Sequence, residues 1–435
     1  MLTPRALLLL LLAAPLIAAG TWFAPLQWLA VVYMVLCGVV FLLDRRWAGG
    51  VNRFEVQRIH DNRLSLGAEN PIKVTVYNRG KTRAAFWVRD EAPEQFKIST
   101  RLLEGEVAPR QTWEGTYYVR PLRRGDYGFG NLVLRWRGPL GLVIRQGTVS
   151  AAAPVKVYPN LLDIRRYDLL LRQNRLQEMG LRHARIFGEG NEYERLREYS
   201  PDDEYRRINW KATARRSRPI TVEYQTERSQ NVFVVLDTGR MMQSPVADIA
   251  KLDYVINAAL LLAYVATGKG DKIGMLTFAD NVGSYVSPKQ GRGQFYKMLE
   301  LLYRVEPEPV EPNYRLALSY LSLKHRKRSL VVIFTDLSGG LGMDALISHV
   351  TALGRTSLPL VVTISDPDIF AAAHQKPDSS LTTYQRAAAV QLLEDRKLAL
   401  DNLSRRGVLT LDVPANQLSL AVIDRYLALK GRGML

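Results

Sequence analysis

The sequence predicts a multi-domain protein: an N-terminal transmembrane helical hairpin, an all-β sandwich and a doubly wound α/β domain. Three observations predict it. Two apolar runs open the chain with no charge between them. Short segments with period-two alternation follow, bounded by turn residues. From Asn231 onward, strand-length apolar runs alternate with helical patterns, as a parallel sheet with crossover helices requires. The 435 residues provide core for two to three domains. The boundaries fall at residues 1–50, 51–159, 160–230 and 231–435.

The apolar runs cover residues 6–23 and 26–43. A span needs roughly 17–25 apolar residues, and both runs qualify. Arg5 precedes the first run, and Arg45 and Arg46 follow the second. The positive-inside rule then puts both ends in the cytoplasm. A cleaved signal peptide is the competing reading of the first run, with small residues at Ala18, Ala19 and Gly20. The second span would still hold the body in the cytoplasm. Cys37, the lone cysteine, lies in that second run, which excludes an intrachain disulfide and a cysteine-based metal site.

In the next region residues 71–77 alternate and stop at the turn Asn78-Arg79-Gly80. Residues 86–89, 112–119 and 132–136 repeat the pattern, which argues a small sandwich. No cluster of His, Cys or acids there suggests chemistry. In the last region, strands are expected at 231–236, 272–278, 329–335, 359–365 and 408–413. Helices are expected at 249–266, 293–303, 314–323, 343–354, 382–405 and 416–429.

The connector holds the densest charge. Residues 161–175 read as partly helical, with Arg165, Arg166, Arg172 and Arg175. Ser200-Pro201-Asp202-Asp203 reads as a helix start, with a capping hydroxyl, a first-turn proline and acids at the positive helix end. Asp203, Arg207, Lys211 and Arg215 follow at spacings of four, giving an acidic end and a basic stripe. A solvated surface helix is the bland reading of such a run. Trp210 beside Lys211 suits either stacking on a ring or a buried anchor, and the anchor is the expectation.

These residues carry a resemblance. Gly188-Glu189-Gly190, Leu196-Arg197-Glu198-Tyr199 and the run from Arg207 through Trp210 and Lys211 to Arg215 resemble the signature of the domain-of-unknown-function 58 family. Asp202-Asp203 stands where the family usually has Gly-Asp. Residues 121–127, 138–142 and 157–159 also fit, although Gly138 stands where an Asp is common. The resemblance implies an immunoglobulin-like sandwich and a von Willebrand factor A-like α/β domain. It also implies a MoxR-type AAA+ ATPase as partner.

Ligands of open α/β sheets gather at the carboxyl ends of the strands. Asp237, Asp336 and Asp366 stop strands there. Asp237 and Asp336 match positions of the metal-ion-dependent adhesion site that the resemblance brings with it. That site needs Asp-x-Ser-x-Ser and a Thr from a second loop, oxygen donors suited to Mg²⁺. Here Gly239 and Met241 replace the serines, and the loop Glu311-Pro312-Asn313-Tyr314 has no Thr. Arg240 adds a positive charge, and an Arg–carboxylate pair could take the place of the metal. Capping or loop hydrogen bonding is the bland role of the acids. No metal and no cofactor are therefore expected.

No P-loop, Gly-x-Ser-x-Gly or His-Glu-x-x-His occurs. Lys and Arg number 59 against 42 Asp and Glu, a net charge of +17 that favours acidic partners. The excess is spread along the chain, without the concentrated patch that nucleic-acid binding prefers. The expected role is a non-enzymatic interaction or assembly factor, multi-pass in the inner (cytoplasmic) membrane with its body in the cytoplasm. The alternatives are a hydrolase or nuclease at the acidic strand edge, or a module binding anionic lipid or nucleic acid.

Overall fold

The computed structural model describes residues 1–160, 192–200, 205, 208–216, 218–225, 229–337 and 342–434. The chain forms two compact units, Met1–Asn160 and Leu161–Leu435. Gly188, Glu189, Gly190, Asp203, Arg207 and the helix expected at 161–175 lie outside the described residues, as do residues 201–204 of the expected helix start.

The first unit begins with α1 (Pro4–Leu11), α2 (Ala13–Gly20) and α3 (Ala24–Ala48). Residues Pro25–Ala48 are long and apolar enough to cross a membrane, and only 11% of that window is buried. The first apolar run falls short of the two-span expectation. It gives only the shorter apolar stretch Pro4–Ala19, divided at Leu12. The cause is Pro15, which offers no N–H and whose ring crowds the carbonyl four residues back. α1 is still tied to α3, because the Tyr33 hydroxyl donates to the Leu9 carbonyl at 2.8 Å.

Eleven strands follow: β1 (Phe54–Ile59), β2 (Arg63–Ser65), β3 (Asn70–Asn78), β4 (Ala84–Asp90), β5 (Phe96–Ile98), β6 (Leu103–Val107), β7 (Thr112–Pro121), β8 (Gly125–Phe129), β9 (Leu132–Arg137), β10 (Ile144–Val149) and β11 (Ala153–Tyr158). They form sheets β1-β3-β7-β5, β10-β9-β4-β6 and β2-β11-β8. Alternation decides the inward face: Ile72, Val74 and Val76 of β3, and Leu132, Leu134 and Trp136 of β9, are buried. Arg58 is buried too, and it is paired. Its guanidinium donates to Asp90 and to the carbonyls of Ala151 and Gly130.

The turn between β9 and β10 receives both ends of the helical segment. Thr3 N donates to the Leu142 carbonyl at 3.0 Å, and Leu2 bridges Val143. From the last turn of α3, the buried Asp44 carboxylate accepts from the backbone N–H groups of Leu140 (2.8 Å), Leu142 (2.9 Å) and Val143 (2.9 Å). A Cβ on Gly138 would lie 2.4 Å from an Asp44 oxygen. No side chain fits at Gly138, and the carboxylate of this turn comes from Asp44 instead.

In the second unit, β12 (Glu192–Glu198) pairs antiparallel with β13 (Ile220–Gln225), and α4 (Trp210–Arg216) lies between them in sequence. The Asn209 side chain accepts from Ala212 N at 3.0 Å, so Asn209 caps α4. Ile208 and Ile220 are buried, but Trp210 is 58% exposed. The expected buried anchor at Trp210 is thus corrected. Its ring meets the exposed Tyr205 edge-on at 5.6 Å, and the apolar burial falls to the two isoleucines. Lys211 and Arg215 are exposed. Tyr199 is half-buried, and its N–H donates to the Pro219 carbonyl. Leu196 and Arg197 lie in β12.

The large sheet contains β14 (Asn231–Asp237), β17 (Lys272–Phe278), β18 (Val282–Lys289), β19 (Leu330–Phe334), β20 (Leu358–Ser365) and β21 (Leu409–Pro414), in the order β18-β17-β14-β19-β20-β21. All pairs are parallel except β17 with β18. β18 was not expected, because its outer residues break the apolar run that marks the central strands. Two-residue β15 (Pro245–Val246) and β16 (Ile249–Ala250) form a small hairpin beside the sheet. The helices are α5 (Lys251–Gly268), α6 (Arg292–Tyr303), α7 (Tyr314–Lys324), α8 (Met343–Leu353), α9 (Pro367–His374), α10 (Ser380–Arg405) and α11 (Leu418–Gly431). One face buries Phe233, Val235, Val331 and Ile333 under α7, α8 and α10. The alternate residues Val232, Val234 and Leu236 are buried too, and α5 packs against β14, α6 and α11.

Asp44→Ala should strip the acceptor from three buried N–H groups. Each buried donor left unpaired costs about 1–3 kcal/mol. The melting temperature of the detergent-solubilised chain should fall by several degrees, and an unchanged melting curve would show that the clamp contributes nothing.

Candidate functional site

β14 pairs with β17 on one side and β19 on the other, so the strand order reverses at β14. Its carboxyl end is the point where open sheets place ligands. Asp237 ends β14 there and is 1% exposed. Its Oδ1 accepts from Gly239 N at 2.7 Å. Its Oδ2 accepts from Thr335 Oγ1 at 2.7 Å and from the Tyr314 hydroxyl at 3.3 Å. Burial pushes its carboxyl up to about 6, against the pull of these three donors, and the neighbouring Asp336 adds to the rise. Burial and Asp237 likewise push the Tyr314 phenol well up.

Asp336 follows β19 and is also buried, but it meets cations. Lys251 Nζ lies 2.7 Å from its Oδ2 and 3.7 Å from Oδ2 of Asp366. Arg396 Nη1 lies 3.5 Å from Asp336 Oδ1. The same guanidinium reaches Asp412 Oδ1 at 2.5 Å and Thr363 Oγ1 at 2.8 Å. Asp366 also caps α9, accepting from Asp368 N at 3.0 Å.

Lys251 is held there by its local backbone. It is the first residue of α5, directly after the β15–β16 hairpin. Ala247 and Asp248 at the hairpin tip have φ of 47° and 71°, the left-handed pair that a tight two-residue turn demands. Lys251 N donates to the Ser244 carbonyl, which closes this short excursion. A cation in the first turn of a helix opposes the helix dipole. Only the carboxylates make the position favourable.

The pairing of Arg240 with the strand-end acid, one option the sequence offers, does not form. Arg240 turns outward and pairs with Glu311, both about half exposed. Its backbone N–H is held by the Val310 carbonyl at 2.9 Å, which directs the residue away from Asp237. Sequence reasoning missed Lys251, Arg396, Thr335 and Tyr314. One signal for Lys251 was present: a lone lysine opening an otherwise apolar helix. Arg396 lies 60 positions from its partner Asp336 and carried none.

Metal fit is poor at this edge. A Cβ on Gly239 would lie 2.9 Å from the Val310 carbonyl and 3.0 Å from Pro312 Cδ, so a serine there would have to displace the backbone loop. Met241 offers no oxygen. Among the described residues no group of three or more His, Cys, Asp or Glu is placed to hold a metal ion. The ammonium of Lys251 already occupies the space between Asp336 and Asp366.

Residues 195–368 match the family model described as "Protein of unknown function DUF58". That segment runs from β12 past Asp366 and includes Asp237, Lys251 and Asp336. An uncharacterized protein of Mycobacterium tuberculosis is 27% identical over 156 residues, 35% of this chain and 49% of that protein. The chain thus spans about half the length of the mycobacterial relatives it matches. The uncharacterized protein YeaD of Bacillus subtilis is 23% identical over 327 residues, 71% of this chain and 75% of its own. Among solved structures, an aerotolerance-related membrane protein from Bacteroides fragilis aligns with a TM-score of 0.30 at 12% identity, covering 45% of this chain and 96% of that one. The conserved hypothetical protein BatB from Bacteroides thetaiotaomicron gives 0.31 at 11%, covering 46% and 98%. At these TM-scores neither carries an argument about fold or function.

Lys251→Met should leave Asp336 short of its closest cation. Breaking a buried pair from one side costs about 3–5 kcal/mol. The melting temperature should drop sharply, and adding Asp336→Leu should recover part of the loss. Equal stability of Lys251→Met and the parent would refute the bridge.

Asp237 predicts a pH dependence. Its carboxyl holds a proton to about pH 6 when folded, against 3.8 ordinarily. The folded state binds more protons in that window, so stability falls as pH rises through it. The loss is of order 2–3 kcal/mol. Melting curves between pH 4 and 7 should show this decline, and Asp237→Asn should flatten it. A decline of equal size in Asp237→Asn would assign it to another group.

Proposed function

We propose that this chain is a membrane-anchored, non-enzymatic interaction or assembly factor that docks its partner without a metal. The Lys251 ammonium between Asp336 and Asp366 is the observation that carries the reading. With Lys251 on one oxygen and Arg396 on the other, Asp336 has no free oxygen to coordinate an ion or activate a water. Exposed on the surface of this edge is the Arg240–Glu311 pair. Exposed charges of this kind steer association and set its salt dependence. The resemblance to the domain-of-unknown-function 58 family supplies the partner, a MoxR-type AAA+ ATPase. It also supplies the von Willebrand factor A-like reading of the α/β domain. The anchor is the apolar span Pro25–Ala48, and Arg45 and Arg46 at its end support a cytoplasmic body by the positive-inside rule.

The test is affinity capture of the ATPase by the detergent-extracted full chain. Arg240→Glu should weaken capture, mainly through a slower association rate, and leave the melting temperature unchanged. Failure of the unmodified chain to capture the ATPase would remove that partner. Specific Mg²⁺ binding by calorimetry, lost in Asp237→Ala, would overturn metal independence. A cytoplasm-only reporter fused after Leu435 should be active, and silence there would reverse the orientation.

A further inference from the structure

We propose that the junction of the N-terminal helices with the β9–β10 turn binds the phosphate of an anionic phospholipid headgroup. This rests on the membrane anchoring inferred above and adds the chemistry that the anchor recognises. Two guanidinium groups converge on the turn. Gly141 has a φ of +73°, and a Cβ built there would lie 3.4 Å from Arg137 Cδ and 3.5 Å from Arg5 Nη1. Neither side chain has a carboxylate or hydrogen-bond partner among the described residues. Arg137 rests on the Trp87 ring, 5.4 Å from its centroid, and its Nε is buried with no acceptor. Asp44, the acid at this turn, forms no ion pair with either of them. Its Oδ1 is committed to Leu140 N and its Oδ2 to Leu142 N and Val143 N.

The position of the pair selects the ligand. The turn is bonded to Thr3, just before α1, and to Asp44, in the last turn of the apolar span. The two cations therefore sit where the hydrocarbon ends and headgroups begin. Trp47, half-exposed on α3, has the amphipathic ring that suits this level. Leu140 at the turn is 45% exposed, an apolar tip beside the cations. A lipid phosphodiester offers one negative charge and oxygens matched to guanidinium donors. It supplies acceptors for the terminal nitrogens of both guanidinium groups, at the depth where the chain places them.

The detergent-solubilised full chain is titrated with short-chain phosphatidylglycerol, short-chain phosphatidylcholine and inorganic phosphate, followed by tryptophan fluorescence. Each cation near an anionic headgroup contributes about a fivefold gain in affinity. Phosphatidylglycerol should bind more tightly than phosphatidylcholine, and the Arg5→Gln/Arg137→Gln variant should lose roughly twentyfold to thirtyfold. Arg137→Lys, which keeps the charge, should lose much less. Equal binding of the two lipids overturns the proposal, a result that needs no variant. Inorganic phosphate binding as well as phosphatidylglycerol overturns the lipid assignment in favour of a free-anion site. A folded double variant with unchanged affinity also overturns it. Sedimentation of the native protein with membranes separates the two inferences. A chain that does not sediment loses the anchor, whereas one that sediments without lipid preference loses only this site.

Discussion

The carboxyl edge of the large sheet depends on one buried ammonium group. Three acids approach one another there: Asp336, Asp366 and Asp412. Asp336 is the buried one, and a buried carboxylate is costly unless a cation meets it. Lys251 bridges the first two and Arg396 joins the first to the third. Both cations are covalently part of the chain, so each acid of the cluster meets a cation once the fold forms, with no ion from solution. The β15–β16 hairpin exists to deliver Lys251, and its left-handed Ala247 is a local cost accepted for that placement.

The same logic recurs in the first unit with the signs exchanged. Asp44 is buried without any cation, and three backbone N–H groups supply the positive ends of dipoles instead. Arg58 is buried against Asp90 and two carbonyls. In each case a buried charge meets a partner whose position the backbone has already fixed, which limits the entropy lost in forming the contact. Arg5 and Arg137 depart from this pattern, and they do so at the end of the apolar span. That departure is what gives the junction its functional interest.

Much of the fold was legible because period and length are local properties. The apolar runs at 231–236 and 272–278 could only be central strands, and residues 71–77 alternated with the pleat. Pro15 was a visible warning against a full first span, yet composition hides a break that one missing N–H creates. The acids Asp237 and Asp336 were legible as strand ends. Their partners were not. Tyr314, Thr335, Lys251 and Arg396 come from four different elements, and the sheet alone brings them together. Arg240 was misplaced because adjacency in sequence suggested a pair that the Val310 carbonyl prevents. Trp210 was misplaced because its size suggested burial, whereas Ile208 and Ile220 fill that role.

Asp237 and Asp336 lie close enough to influence each other, yet their environments drive them apart. Asp336 faces an ammonium and a guanidinium, which favour its ionised form. Asp237 faces only neutral donors, and burial outweighs them. In an enzyme such a divided pair identifies an acid and a base. Here both are almost wholly buried, and every oxygen has a partner within the protein. Asp237 accepts from Thr335 and Tyr314, and these bonds tie the end of β14 to the end of β19 and to α7. The contrast supports a structural role: hydrogen bonds hold one acid and cations hold the other, at a strand edge that two free carboxylates could not share. The edge is then held from within, and Arg240 and Glu311 stand exposed on it.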